Sequence, residues 1–265
     1  MKKFLLVLLI VGLIVYLFVG CVPEVTPSEG EGEGEGESEP IDRVVMVELY
    51  MTVDCPSCIV VEPILEQLAA EEYDRSQMIL VEEAAWGMYT TTEISDRYKW
   101  YFPNNADRST PNILFNGLNQ RIHGDSTYNA IKSKIIAELG KDAKIKITAT
   151  RNSNSNNTAI TGTIENISSV TLNNLVISGM TYKDRGETGF RYSVTDIFAE
   201  QEVEISTLAP GDTHSFSFTL EGFDWDGNYV DGVIFVQDED SSTKEILQAL
   251  YIDSVSYTHL TLPTN

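Results

Sequence analysis

The stretch Val44-Val45-Met46-Val47-Glu48-Leu49-Tyr50-Met51-Thr52-Val53-Asp54-Cys55-Pro56-Ser57-Cys58-Ile59-Val60-Val61-Glu62-Pro63-Ile64-Leu65-Glu66 decides how the chain is read. Residues 44–51 form a nearly continuous apolar run, the pattern of a strand buried on both faces in a parallel or mixed sheet. Past the Cys55-Pro56-Ser57-Cys58 turn, Val61, Ile64, Leu65, Leu68 and Ala69 fall on one face of a helix. The dithiol is therefore expected where a strand hands over to a helix. A cysteine in a first helical turn meets unpaired backbone N–H groups and the positive end of the helix dipole, which favour thiolate over thiol. Cys55 is expected to be that nucleophile, and Cys58, one turn later, the thiol that resolves a mixed disulfide. Pro56 lacks an N–H and presets φ for helix initiation, so it stiffens the turn without losing a hydrogen bond.

Further along, residues 78–81 read as a second strand and 90–100 as a helix with an aromatic-rich end. Ile113-Leu114-Phe115, then Asn116-Gly117, then a polar-apolar run to His123, read as a hairpin whose turn pair prefers positive φ. A last helix is expected with Asp125 as its N-cap, Ile131, Ile135 and Leu139 on one face, and a stop at Gly140. The order is β-α-β-α-β-β-α. Beyond Lys141 the helical signals end. About seven short alternating runs, at 144–150, 158–164, 172–177, 202–206, 214–220, 232–236 and 244–252, predict an antiparallel β-sandwich.

The Cys55-Pro56-Ser57-Cys58 motif, with Pro63 five residues after its second cysteine, resembles the active-site helix of the thioredoxin superfamily, where a proline kinks that helix. Ser109-Thr110-Pro111-Asn112-Ile113-Leu114-Phe115-Asn116-Gly117 resembles the family's cis-proline loop and following hairpin. The resemblance covers about residues 41–141, with an insertion near 100–108. It implies that Pro111 is cis and packs against the dithiol, and that Thr110 offers its backbone to an extended substrate strand. The family's buried proton acceptor for the resolving cysteine has no strict match; Glu48 is the nearest candidate and Asp54 is the other carboxylate close by. The expected fold class is thus an α/β thioredoxin-like domain (41–141) followed by an all-β Ig-like sandwich (142–253). Together with a lipid anchor, this combination is similar to a group of Bacteroidetes-type outer-membrane lipoproteins.

Towards the N-terminus, Lys2 and Lys3 precede an apolar run from Phe4 to Val19, the pattern of an export signal over residues 1–20. Leu17-Phe18-Val19-Gly20-Cys21 resembles the bacterial lipobox, so Cys21 is expected to be lipidated; an uncleaved membrane anchor is the alternative. Both tether the protein outside the cytoplasm, and Val22 after the lipidated cysteine slightly favours the outer membrane. Residues 22–40, with seven Glu, three Pro and four Gly, read as an acidic linker of about 25 Å as a random coil. Residues 254–265 resemble translated adapter read-through and are expected to be non-native.

The chain has 265 residues and a net charge of −22, which disfavours a nucleic-acid partner. With Cys21 lipidated, only Cys55 and Cys58 remain of three cysteines, and in an oxidising compartment a lone close pair points to redox chemistry. Structural zinc usually needs a second cysteine pair or nearby histidines, and the ordered chain has only His123 and His214, so redox chemistry is favoured over metal binding. Asp224-Trp225-Asp226-Gly227-Asn228-Tyr229-Val230-Asp231 alternates oxygen ligands like a calcium loop, but Phe235 stands where the bidentate Glu belongs, so an acidic turn is expected. The aromatics between Tyr89 and Phe102 fit either a substrate groove or core packing.

These observations lead to the expectation of a membrane-anchored thiol:disulfide oxidoreductase of the cell envelope. Its partners would be protein thiol/disulfide substrates and an upstream redox protein, and it would need no cofactor or metal. The direction stays open between an oxidant near about −120 mV and a reductant near about −270 mV. The rival is a non-catalytic binding lipoprotein that uses the first fold as scaffold and the sandwich for recognition.

Overall fold

The computed structural model describes residues 41–186 and 189–253. The export signal, Cys21, the acidic linker and the 254–265 tail lie outside the described residues. No helix among the described residues is long and apolar enough to cross a membrane.

β1 (Val45–Met51) and β2 (Met78–Ala84) are buried at every position and run parallel, with Val45 opposite Met78 and Met51 opposite Ala84. β3 (Asn112–Phe115) adds antiparallel to the other side of β1, and β4 (Gln120–His123) completes that edge. Strand alternation then sorts the side chains by face. Val45, Val47, Leu49 and Met51 pack with Val61 and Leu65 of α1 (Cys58–Gln67) and with Ile131 and Ile135 of α3 (Tyr128–Leu139). Met46, Ile79 and Val81 meet Ile94 of α2 (Thr92–Tyr101) on the opposite face, where Tyr50 also stacks on Tyr98 at 4.3 Å. α1 contains Pro63 and runs into a π-helical turn, Leu68–Glu72.

Two helix starts are set by threonine hydroxyls. Thr91 accepts from the Ile94 N–H at 3.2 Å, and Thr127 accepts from the Ala130 N–H at 3.3 Å. The last helix therefore begins after Thr127 rather than after the expected Asp125. The aromatics Tyr98, Tyr101 and Phe102 are core residues of the α2 face, which removes them from any groove beside the dithiol.

The Asn116-Gly117 turn adopts positive φ at both positions, +51° and +89°. Asn116 does more than turn the chain. Its buried amide accepts from the Met46 N–H at 2.8 Å and donates to the Val44 carbonyl at 3.1 Å, binding the hairpin to β1. Asn116→Ala would strand both groups in the core, and about 2–4 kcal/mol of stability should be lost in urea denaturation, with m unchanged.

The second half consists of β5 (Ile145–Ser153), β6 (Asn157–Asn166), β7 (Leu172–Lys183), β8 (Ser193–Ile197), β9 (Val203–Leu208), β10 (Thr213–Glu221), β11 (Asp231–Asp238) and β12 (Ile246–Ile252). β8 lies outside the runs read as strands in the sequence. β10-β6-β5 form a three-stranded sheet. It packs across Ile160, Ile164, Phe216 and Phe218 onto Leu175, Ile177, Ile234 and Val236, with Trp225 fully buried among them. The Asp224–Asp231 stretch is a turn: Asp224 Oδ1 accepts from the Gly227 N–H at 2.8 Å, and Asp226 pairs with Arg151 at 3.0 Å.

The two halves share one sheet, ordered β12-β11-β7-β8-β2-β1-β3-β4, with β9 pairing β7 alongside. β8 is the joint: Ser193 stands opposite Glu82, and the Glu82 N–H donates to the Tyr192 carbonyl at 2.8 Å. The apolar cluster of Met46, Ile79, Val81, Met180, Val233 and Phe235 likewise draws on both halves. Buried Arg43 binds Glu138 of α3 at 3.2 Å and Glu245 before β12 at 2.9 Å. The described residues form one compact unit, with no break of the sheet at residue 141.

Candidate functional site

Cys55 lies in the turn between β1 and α1, three residues ahead of the helix, and Cys58 is the first helical residue. This places Cys55 just outside the first helical turn. The turn still orients a donor at it, because the Cys58 N–H points at Cys55 Sγ from 3.1 Å. The Cys55 carbonyl accepts from the N–H groups of Cys58 at 3.1 Å and Ile59 at 3.4 Å, so the turn is closed by its own backbone. Ser57 caps the helix without a side-chain hydrogen bond. The two sulfurs are joined as a disulfide, with Cα atoms 5.2 Å apart. Cys55 is 8% exposed and Cys58 1%, so both are buried and Cys55 is the less covered of the two.

Pro56 and Pro63 are both exposed. The Thr110–Pro111 peptide bond is cis, Pro111 is buried and Thr110 half-buried. Because Tyr50 stands opposite Asn112, Pro111 lies at the end of β1 from which the dithiol turn departs. The same end carries exposed Val53, Ile59 and Val60 beside the cysteines and, after β2, exposed Trp86 and Met88. His123, across the strand pair from Asn112, is exposed and 2.5 Å from Ser109 Oγ.

Glu48 is not beside the dithiol. Alternation along β1 turns Leu49 and Met51 to the α1 side and Glu48 to the α2 side. There, fully buried, it accepts from Arg97 Nε at 2.7 Å and from the Tyr101 hydroxyl at 2.8 Å, while Gln237 binds the same hydroxyl at 2.8 Å. Burial and the neighbouring Glu48 push the carboxyl of Glu83, in the same cluster, well above the usual carboxylate range. Asp54 is exposed.

The acids on the dithiol's own face are Glu62, Glu66 and Glu82, which the sequence reading did not single out. Glu62 follows Cys58 by one turn and is buried; its Oε1 accepts from the Phe190 N–H at 2.7 Å. Glu82 is fully buried in β2, and its Oε2 accepts from the Tyr192 N–H at 2.9 Å. Burial pushes the Glu82 carboxyl up to about 8, with the Tyr192 N–H acting in the opposite direction. Burial raises Glu62 and Glu66 as well. Phe190 belongs to the apolar cluster that holds both cysteines and packs edge-on against Tyr89 at 5.4 Å. The second half of the chain thus reaches into the floor of the dithiol site. The one available signal in the sequence was two adjacent glutamates, Glu82 and Glu83, directly continuing an apolar strand.

No protein-family model matches the chain, and no curated protein matches it by sequence. Among solved structures, HBP35 of Porphyromonas gingivalis aligns over 85% of this chain and 81% of its own, with a TM-score of 0.61 at 15% identity. A protein from Agrobacterium tumefaciens solved as a structural-genomics target aligns over 81% and 96%, with a TM-score of 0.55 at 14% identity. A domain of the outer membrane lipoprotein Omp28 from Porphyromonas gingivalis aligns over 42% and 88% with a TM-score of only 0.30, at 15% identity, and has no bearing on the fold. Coverage above four-fifths extends over both halves of the chain, so its mixed α/β architecture, mostly sheet with few helices, is one that it shares with the first two proteins.

Proposed function

We propose that this chain is a thiol:disulfide oxidoreductase of the cell envelope, with a thioredoxin-like first half, an Ig-like sandwich as its second, and a lipid anchor at Cys21. The observation that carries the reading is the pairing of Cys55 and Cys58 across a strand-to-helix turn, with the Cys58 N–H 3.1 Å from Sγ of Cys55, the less buried of the two residues. A donor held there stabilises charge on Cys55 Sγ when the pair is reduced.

In the reductive direction, the Cys55 thiolate attacks one sulfur of a substrate disulfide. An S–S bond forms between Cys55 and the substrate, and the other substrate sulfur leaves as a thiolate that takes a proton from water. Cys58, deprotonated, then attacks Cys55 Sγ. The intramolecular disulfide forms, the mixed disulfide breaks, and the second substrate sulfur leaves. Two electrons have passed from the dithiol to the substrate, and an upstream thiol must return them. Reversal of the same steps oxidises a substrate dithiol.

The cis Thr110–Pro111 segment and the apolar collar of Val53, Ile59, Val60, Trp86 and Met88 give an extended polypeptide a backbone edge and apolar side chains to lie on. The net charge of −22 speaks against nucleic acid as the partner.

The test is insulin reduction by the full-length, detergent-solubilised chain with dithiothreitol as electron source, followed as turbidity. Acceleration over dithiothreitol alone is the expected result. A rate equal to that background removes the enzyme reading and leaves a binding lipoprotein. Redox titration of the Cys55–Cys58 pair against glutathione buffers then gives the direction of the reaction.

A further inference from the structure

The sheet and the dithiol do not account for the three carboxylates on the α1 face. Glu62 and Glu66 stand one turn apart on α1 and Glu82 on β2, and one oxygen of each lies within 4.8 Å of the other two. Glu82 is fully buried, and while its Oε2 is taken by the Tyr192 N–H, its Oε1 is buried with no partner among the described residues. Glu66 repeats the pattern. Its Oε1 is buried and unpartnered, and its Oε2 lies 3.7 Å from Arg191 Nε, on a side chain that is 64% exposed. A cavity of about 350 Å³ opens onto Glu62 and Glu66, with Gly189 and Arg191 on its rim.

We propose that Glu62, Glu66 and Glu82 bind a calcium ion. Buried oxygens without donors are costly unless something positive meets them, and the nearest guanidinium is mostly in water. The donor set is oxygen alone, with no imidazole or thiolate, which selects a hard cation over zinc or copper. Calcium takes oxygens at about 2.3–2.6 Å, so ligands on opposite sides of it stand about 5 Å apart, and three oxygens mutually within 4.8 Å fit around one ion. Magnesium demands near-ideal octahedral geometry at about 2.0–2.1 Å and gives up its waters reluctantly, so three mostly buried carboxylates suit it less than calcium. The cavity has room for the waters that complete a calcium shell.

The ion would clamp three elements at once. α1 carries the dithiol, β2 is the central strand beside it, and the Phe190 and Tyr192 N–H groups, from the segment before β8, hold one oxygen each of Glu62 and Glu82. Calcium would thereby fix the second half of the chain against the helix that bears Cys58. The assignment is independent of the redox reading, and so is its test.

The full-length chain in detergent, stripped with EDTA, is melted with and without calcium chloride and compared with Glu66→Gln and Glu82→Gln. Equilibrium dialysis against calcium alone gives the stoichiometry. At a calcium concentration a hundred times Kd, Tm should rise by roughly 5–10 °C, and less with magnesium at the same concentration. Both variants should lose this rise and bind one calcium fewer than the parent chain, the acidic linker being unchanged in all three. In EDTA the two variants, being neutral isosteres, should melt no lower than the parent. Should Glu82→Gln fail to fold, Glu66→Gln, on the outer side of the cluster, carries the comparison by itself. No calcium-dependent shift in the parent chain, a shift retained in Glu66→Gln, or an equal shift with magnesium would each overturn the assignment.

Discussion

Cys58→Ala is expected to convert turnover into a covalent dead end. Cys55, the less buried of the two cysteines, would still have the backbone N–H of residue 58 directed at its Sγ, since that donor belongs to the main chain and survives the substitution. Attack on a substrate disulfide would proceed, but the second displacement would have to come from an external thiol. Loss of an intramolecular nucleophile costs a rate factor on the order of 10³ or more, so mixed disulfides should accumulate. Non-reducing gels with mass spectrometry would show them as dithiothreitol-sensitive adducts and identify the substrates. Cys55→Ser should remove both turnover and adducts. If Cys58→Ala collected no adduct while the parent chain reduced insulin, the assignment of nucleophile and resolving thiol would have to be exchanged or abandoned.

Arg97→Leu should be among the most destabilising single substitutions in the chain, at about 3–5 kcal/mol. Its Nε is 2.7 Å from Glu48 Oε1, with the two side chains 9% and 0% exposed. The same guanidinium also reaches the Tyr101 hydroxyl at 3.0 Å and Gln237 Oε1 at 3.1 Å. Removing the cation leaves Glu48 buried without its counter-charge and beside Glu83, a situation far worse than never having buried the pair. The double variant Arg97→Leu/Glu48→Gln removes the stranded charge and should recover a substantial part of the loss. Chemical denaturation of the single and double variants would measure this. A cost below about 1 kcal/mol for Arg97→Leu would mean that the cluster is hydrated, not buried.

The same cluster shows why counting along the sequence does not place an acid beside the dithiol. Spacing along the chain put Glu48 seven residues before Cys55, close to where the thioredoxin resemblance asks for an acid. A strand reverses its side chains at every residue, and a shift of one position moved Glu48 to the wrong side of the sheet. Glu82 is invisible to such counting, because it approaches the dithiol face from a neighbouring strand, owes its raised pKa to burial, and finds its backbone partner in Tyr192, 110 residues later.

Local physics wrote the first half of the chain legibly. The apolar run of β1, the helical spacing after Cys58, the Asn116-Gly117 turn and the stop at Gly140 each depend on neighbours within a few residues, and each element stands where periodicity and turn chemistry put it. β8 could not be read this way, since Ser193–Ile197 has no alternation to mark it and is a strand because β2 and β7 offer it partners. The division near residue 141 was a change of periodicity, which is a local property. Continuity of the sheet across it is a property of pairing between segments about 110 residues apart, for which a single sequence has no local signal.

The sequence by itself therefore determined the dithiol, the strand and helix that present it, and the sandwich-like run of strands that follows. Only the tertiary structure decided which carboxylates share a face with the sulfurs, that the two halves are one sheet, and that Glu62, Glu66 and Glu82 converge. The physical reason is that hydrogen-bonding periodicity is set within a turn or a strand, whereas the burial of a charge is set by whatever distant segment closes over it.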